Sequence, residues 1–183
     1  NHPLTARQRR LDELRQMLAA GSHFCDWQWA QTALGARIGK GERAQARTYA
    51  YADPKRVDET LEVLVEATAR YLKMQADAGA QVLKLFESWA ESLSEDMFER
   101  IVIRPHTAII EKVRAAGIEV PFIGFPRGAG AQVANYAAKV PVNAVALDTQ
   151  ASAALGQKIQ AGGKTIQGAL DNLLLRAGGP ALD

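Results

Sequence analysis

Pro121-Phe122-Ile123-Gly124-Phe125-Pro126-Arg127-Gly128-Ala129-Gly130 is an apolar run that breaks into a glycine-rich loop carrying one arginine. Phe122, Ile123 and Phe125 suit a strand covered on both faces. Pro126, with no backbone N–H to give, is expected to stop the ladder. Gly128 and Gly130 let the backbone turn and approach a ligand closely, and Arg127 sits at the strand's carboxyl end, where α/β sheets build their sites. A plain strand-to-helix turn is the competing reading of the same residues.

Working outward, the run repeats in kind. Val82–Phe86 reads as a strand running into Glu87-Ser88-Trp89-Ala90, Asn143–Leu147 as one ending in Asp148-Thr149, and Lys164–Gln167 as one ending in Gly168. Helical segments separate them. Ser94 with Glu95 and Asp96 starts one whose apolar face is Phe98, Ile101 and Val102, and Pro105 is expected to start a second with Ile109, Ile110 and Val113 buried. Ala131–Lys139 and Ala153–Gln160 complete the alternation. Strands spaced far enough apart for a crossover helix argue for parallel pairing in right-handed βαβ units. Ser88, Arg127, Asp148 and Asp171 all fall at or just after carboxyl ends, although a strand-end serine or aspartate often only caps the next helix.

Toward the N-terminus, Asp53-Pro54 marks a helix start, and Leu61, Leu64, Val65, Thr68 and Leu72 follow at helical period as far as Ala78-Gly79-Ala80. Before it, Gly35–Gly41 reads as a mobile loop whose positive charge continues through Arg43 and Arg47. It is a solvated loop or a lid over an acidic ligand. Trp27 and Trp29 share one side of a short strand-like stretch, as core or as the wall of a flat site. Thr5-Ala6-Arg7-Gln8 has capping-box spacing and opens an amphipathic helix with a solvated face.

Composition narrows the partners. With 183 residues, 48% of them hydrophobic, the chain supports one core and one domain over residues 1–183. A net charge of +2 without a basic, aromatic-interleaved helix argues against nucleic acid. Cys25 is the one cysteine, which excludes an intrachain disulfide and a cysteine zinc cluster and fits a reducing, cytoplasmic setting. No run of about 18 apolar residues suggests a membrane span, and the first residues lack an apolar signal core. Nucleotide fingerprints, the His-Glu-x-x-His arrangement and the serine elbow are missing, so His2, His23 and His106 are expected at the surface or at helix caps.

Leu85-Phe86-Glu87-Ser88-Trp89-Ala90, Phe122–Gly130, Ala146-Leu147-Asp148-Thr149 and Gln167-Gly168-Ala169-Leu170-Asp171 together resemble, in order and spacing, the successive strand-end motifs of the uroporphyrinogen decarboxylase family. Tyr51-Ala52-Asp53-Pro54 and Ala78-Gly79-Ala80 are similar to it as well, so the likeness runs from about Thr48 to Asp183. It implies an α/β fold of (β/α)8 TIM-barrel type. A whole barrel takes about 250 residues, so half to two-thirds of one is expected here. The family's N-terminal arginine and aspartate segments and its C-terminal Gly-His-Gly stretch have no counterpart, and Ala33-Leu34 stand where a site tyrosine is expected.

The resemblance further implies a cofactor-free carboxy-lyase, cytoplasmic and homodimeric, that turns the four acetate side chains of the tetrapyrrole uroporphyrinogen III into methyls, giving coproporphyrinogen III. Ser88 matches the family's substrate-binding serine, and Arg127 matches a basic strand-end position expected to bind substrate. Preorganised charges rather than a metal would do the electrostatic work. Two rivals accompany this reading. A non-catalytic module of the same fold would bind tetrapyrroles or polycarboxylates without turnover. A related barrel methyltransferase would want thiolate and imidazole zinc ligands, which a lone Cys25 does not supply.

Overall fold

The computed structural model describes residues 43–181. The readings at Thr5–Gln8, Cys25, Trp27, Trp29, Ala33-Leu34 and Gly35–Gly41 lie outside the described residues. Helix α1 (Arg43–Ala52) leads directly into α2 (Pro54–Asp77). Arg43 and Arg47 are therefore helical, not loop residues as the glycines upstream of them suggested. Asp53 caps α2 as expected, its Oδ1 accepting the Arg56 N–H at 3.1 Å, with proline in the first turn where no donor is needed. Leu61, Leu64, Val65, Thr68 and Leu72 are all buried.

Four strands follow: β1 (Leu83–Glu87), β2 (Phe122–Pro126), β3 (Ala144–Leu147) and β4 (Thr165–Gly168). They form one parallel sheet whose spatial order is the chain order. Between them lie a long composite helix, α5 (Gln132–Lys139) and α6 (Ala153–Ala161). The composite helix is α3 (Glu95–Phe98), a π-helical turn (Glu99–Ile103) and α4 (Arg104–Ala115). After β4 come α7 (Asn172–Ala177) and a short 3-10 turn.

Pro105 was expected to open a separate helix; instead the chain runs through it without a break. A proline inside a helix lacks a donor and collides with the carbonyl four residues earlier. The π-turn just before it takes up the misfit: the Arg104 N–H reaches back to the Glu99 carbonyl, one residue beyond the usual partner. Arg100 in that turn is tied to Asp58 at 2.8 Å and to the Pro54 carbonyl, which seats the composite helix on α2.

The helices cover one face of the sheet. Leu83 and Leu85 of β1 and Phe122 of β2 are buried, whereas Lys84, Phe86, Ile123 and Phe125 between them are only half-buried. Phe122, Ile123 and Phe125 were expected in a strand covered on both faces; among the described residues only the outer face is covered. On that outer face Gly124 has no side chain because the Tyr136 ring of α5 lies directly over it. Tyr136 in turn shares a 2.8 Å hydrogen bond with Nδ1 of His106 on α4, the two rings meeting edge to face. His106 is 1% exposed, a core histidine and not the surface or cap residue its sequence context suggested. A histidine on an apolar helix face with a tyrosine partner can be buried neutral at modest cost.

The sheet curls about its other face. Lys84 on β1 and Gln167 on β4 join tip to tip, Nζ to Oε1 at 2.8 Å. In a flat sheet those strands, three spacings apart, stand about 14 Å from each other. Parallel strands in chain order, helices outside and a concave inner face make this an arc of a (β/α)8 barrel.

Candidate active site

The register assigns side chains to layers on the concave face. Lys84 pairs with Ile123, Ile123 with Ala144 and Ala144 with Thr165, which is one layer. Phe86 pairs with Phe125, and Ala146 with Gln167, in the layer above. The next residue along each strand is Ser88, Arg127 and Asp148, at the carboxyl-terminal rim where barrel enzymes build their sites.

Three of these turns are fastened to one another. The Arg127 N–H donates to the Glu87 carbonyl at 2.9 Å, so Pro126 ends β2 but the ladder runs one bond past it. Asp148 then holds the second turn to the third: Oδ2 accepts the Gly128 N–H at 2.8 Å and Oδ1 the Gln150 N–H at 3.1 Å. Gly128 is required there, since its φ is +77° and an added Cβ would lie 3.0 Å from Glu91 Cβ. The fully buried Glu87 accepts the Trp89 N–H at 3.0 Å, closing a ring around the peptide of Ser88.

Ser88 is half-buried in its turn and Arg127 is exposed. Among the described residues nothing hydrogen-bonds or ion-pairs with the Arg127 guanidinium. Asp148 and Asp171, by contrast, are engaged with backbone; Asp171 caps α7 by accepting the Leu173 N–H at 2.9 Å. The rim therefore offers donors and positive charge while its acids are occupied, which suits an anionic ligand. Behind it a cleft of about 340 Å³ opens between the starts of α5 and α6, lined by Pro126, Gly130, Ala146, Asp148 and Ser152. Among the described residues no group of three or more His, Cys, Asp or Glu gathers to hold a metal ion, and no helix is long and apolar enough to cross a membrane.

Replacing Asp148 by alanine strips two amides of their acceptor and is expected to cost about 1–2 kcal/mol, because the site is only partly buried. Asp148→Asn, which keeps an acceptor oxygen, should recover about half of that in denaturant titrations.

Sequence reasoning placed Ser88 and Arg127 at the rim but passed over Lys84, Phe86, Phe125 and Gln167 beneath it. The signal that could have found them was a lysine alternating with apolar residues inside a strand. Lys84 Nζ lies 4.8 Å from the Phe86 ring centroid and 5.3 Å from that of Phe125, and the two rings meet edge to face at 6.0 Å. Desolvation holds its pKa below the ordinary lysine value.

Comparison with known proteins agrees with this geometry. The family model for uroporphyrinogen decarboxylase (URO-D) matches residues 28–183. The uroporphyrinogen decarboxylase of Phenylobacterium zucineum is 74% identical over 142 residues, which is 78% of this chain and 41% of that protein. That of Caulobacter vibrioides is 59% identical over 159 residues, 87% of this chain and 45% of the relative, and that of Maricaulis maris 50% over 145 residues, covering 79% and 42%. The chain spans less than half the length of these curated relatives. With the match covering most of its residues and the parallel arc carrying the corresponding strand-end turns, the chain belongs to the uroporphyrinogen decarboxylase family.

Proposed function

We propose that the protein is a carboxy-lyase that converts the four acetate side chains of uroporphyrinogen III to methyls, yielding coproporphyrinogen III. One observation carries the reading: the guanidinium of Arg127, unpaired among the described residues, and the hydroxyl of Ser88 stand on adjoining, mutually fastened turns above an aromatic inner face. A substrate bearing eight carboxylates needs such fixed donors. Breaking the bond to CO2 leaves an electron pair on the side-chain carbon. Prior protonation of the pyrrole makes the ring its acceptor, a second proton on the exocyclic carbon completes the methyl, and loss of the first proton from the ring restores the pyrrole, so that each CO2 lost is replaced by one proton. The ring is its own electron sink, so the reading includes no cofactor. Arg127 would hold a carboxylate and Ser88 would donate a hydrogen bond to another polar group of the same substrate.

Anaerobic incubation with uroporphyrinogen III, followed by oxidation and chromatography, should show hepta-, hexa-, penta- and tetracarboxylate porphyrins in succession. Tight binding with no loss of carboxyls would instead establish the non-catalytic rival. Arg127→Ala should raise KM about tenfold and Arg127→Lys less, while Ser88→Ala should lower kcat/KM by about tenfold, the worth of a hydrogen bond to a charged group. Homodimeric assembly and a cytoplasmic location belong to the same reading; sedimentation equilibrium and cell fractionation test them.

A further inference from the structure

We propose that Lys84 and Gln167 form a second carboxylate-binding station, one layer below the rim on the concave face, between the rings of Phe86 and Phe125. The inference rests on the tetrapyrrole reading above and extends it to residues that the rim does not include.

The argument begins with donors. An ammonium has three and a carboxamide two. The Lys84–Gln167 bond uses one ammonium hydrogen and the Gln167 oxygen. What remains on the pair is donors alone, and among the described residues no carboxylate or carbonyl takes them. Lys84 is half-buried against two rings while Gln167 is exposed, so the remaining donors are open to a ligand, and an anion would offset the partial desolvation of the ammonium. The carboxylate is the matching group, since its two oxygens accept several hydrogen bonds and its charge offsets the desolvation of the ammonium.

The β3 side chains between β2 and β4 are short. Ala144 and Ala146 are the residues this strand contributes to the concave face, and both are small. Ala146 pairs with Gln167 and is itself covered, so the station lies above it, between Phe125 and Gln167. A side chain entering from the rim, past Arg127 and Ser88, meets the aromatic rings first and the ammonium behind them. The rings favour its methylenes and the ammonium its carboxylate.

Such a carboxylate can come from an acetate or from a propionate arm. Fluorescence titration of the purified protein with uroporphyrin III and coproporphyrin III separates the two, because the second lacks acetates. Lys84→Met and Gln167→Leu should each weaken uroporphyrin binding, the lysine change by about tenfold, with Lys84→Arg restoring part of it and melting temperatures unchanged. Weakening for uroporphyrin alone assigns the station to acetate; equal weakening for both assigns it to propionate. Isotope labelling of the lysine ε-carbon supplies a readout independent of affinity: the Lys84 pKa should rise when porphyrin is bound. Wild-type affinity in Lys84→Met, or a Lys84 pKa that porphyrin does not move, overturns the station while leaving the decarboxylase reading in place. Absence of any porphyrin binding by the wild type overturns both.

Discussion

Gly124→Ala is expected to destabilise the protein by about 3 kcal/mol, the sum of overpacking and one broken buried hydrogen bond. An added Cβ would lie 2.6 Å from Cε1 and 2.7 Å from Cζ of Tyr136, with the hydroxyl also in collision. The ring has no exposed direction to move in, since Tyr136 is fully buried. Any shift pulls its hydroxyl from His106 Nδ1, now 2.8 Å away, and weakens a buried hydrogen bond. Denaturant unfolding should show a lower midpoint with an unchanged slope. Tyr136→Phe in the same background relieves the clash at the hydroxyl but not at the ring. The double variant should therefore regain only part of the loss; full recovery would mean that the ring itself was never crowded.

Acid should destabilise the fold through His106. Burial lowers its pKa from the ordinary 6.5 to about 3. Between those values the unfolded chain binds a proton at this position and the folded chain does not. Stability contributed by the neutral ring is thus fully present above about pH 6.5 and is lost as the pH falls toward the folded value, by about 1.4 kcal/mol per unit and on the order of 5 kcal/mol in all. Carboxylates add their own dependence at the acid end. The comparison to make is with His106→Gln, which can still bond Tyr136 but does not titrate. From pH 7 to pH 5 the wild type should lose about 2 kcal/mol more than the variant; parallel curves would refute the assignment.

The first three strands could be read in advance because each is a short, mainly apolar run set between turn residues, and β4, Thr165–Gly168, by its place in the alternation. The helix starts could be read because Asp53 and Ser94 cap in ways that depend only on near neighbours. Ser88 and Arg127 were visible for the same reason, since a strand's carboxyl end is a local landmark. What was hidden depends on distance along the chain. Lys84 meets Gln167 across 83 residues and His106 meets Tyr136 across 30, and nothing local marks either partner. Asp148 was legible as a strand-end acid, but its engagement with Gly128, 20 residues earlier, was not. Pro105 misled because its usual effect on a helix was absorbed by the π-turn before it, a feature that hydrophobic period does not reveal.

Because each strand pairs with the strand that precedes it in sequence, the arc has a direction in time as well as in space. During synthesis at about 5–20 residues per second, β1 is followed by the helix that will cover it before β2 emerges, and every later strand meets an edge already laid down. From β2 onward no strand of this arc has to wait for a partner still inside the ribosome, and the loops closed at each step are only as long as one crossover. The chain can be assembled by accretion, one βα unit at a time, with the carboxyl-terminal rim completed turn by turn in the same order.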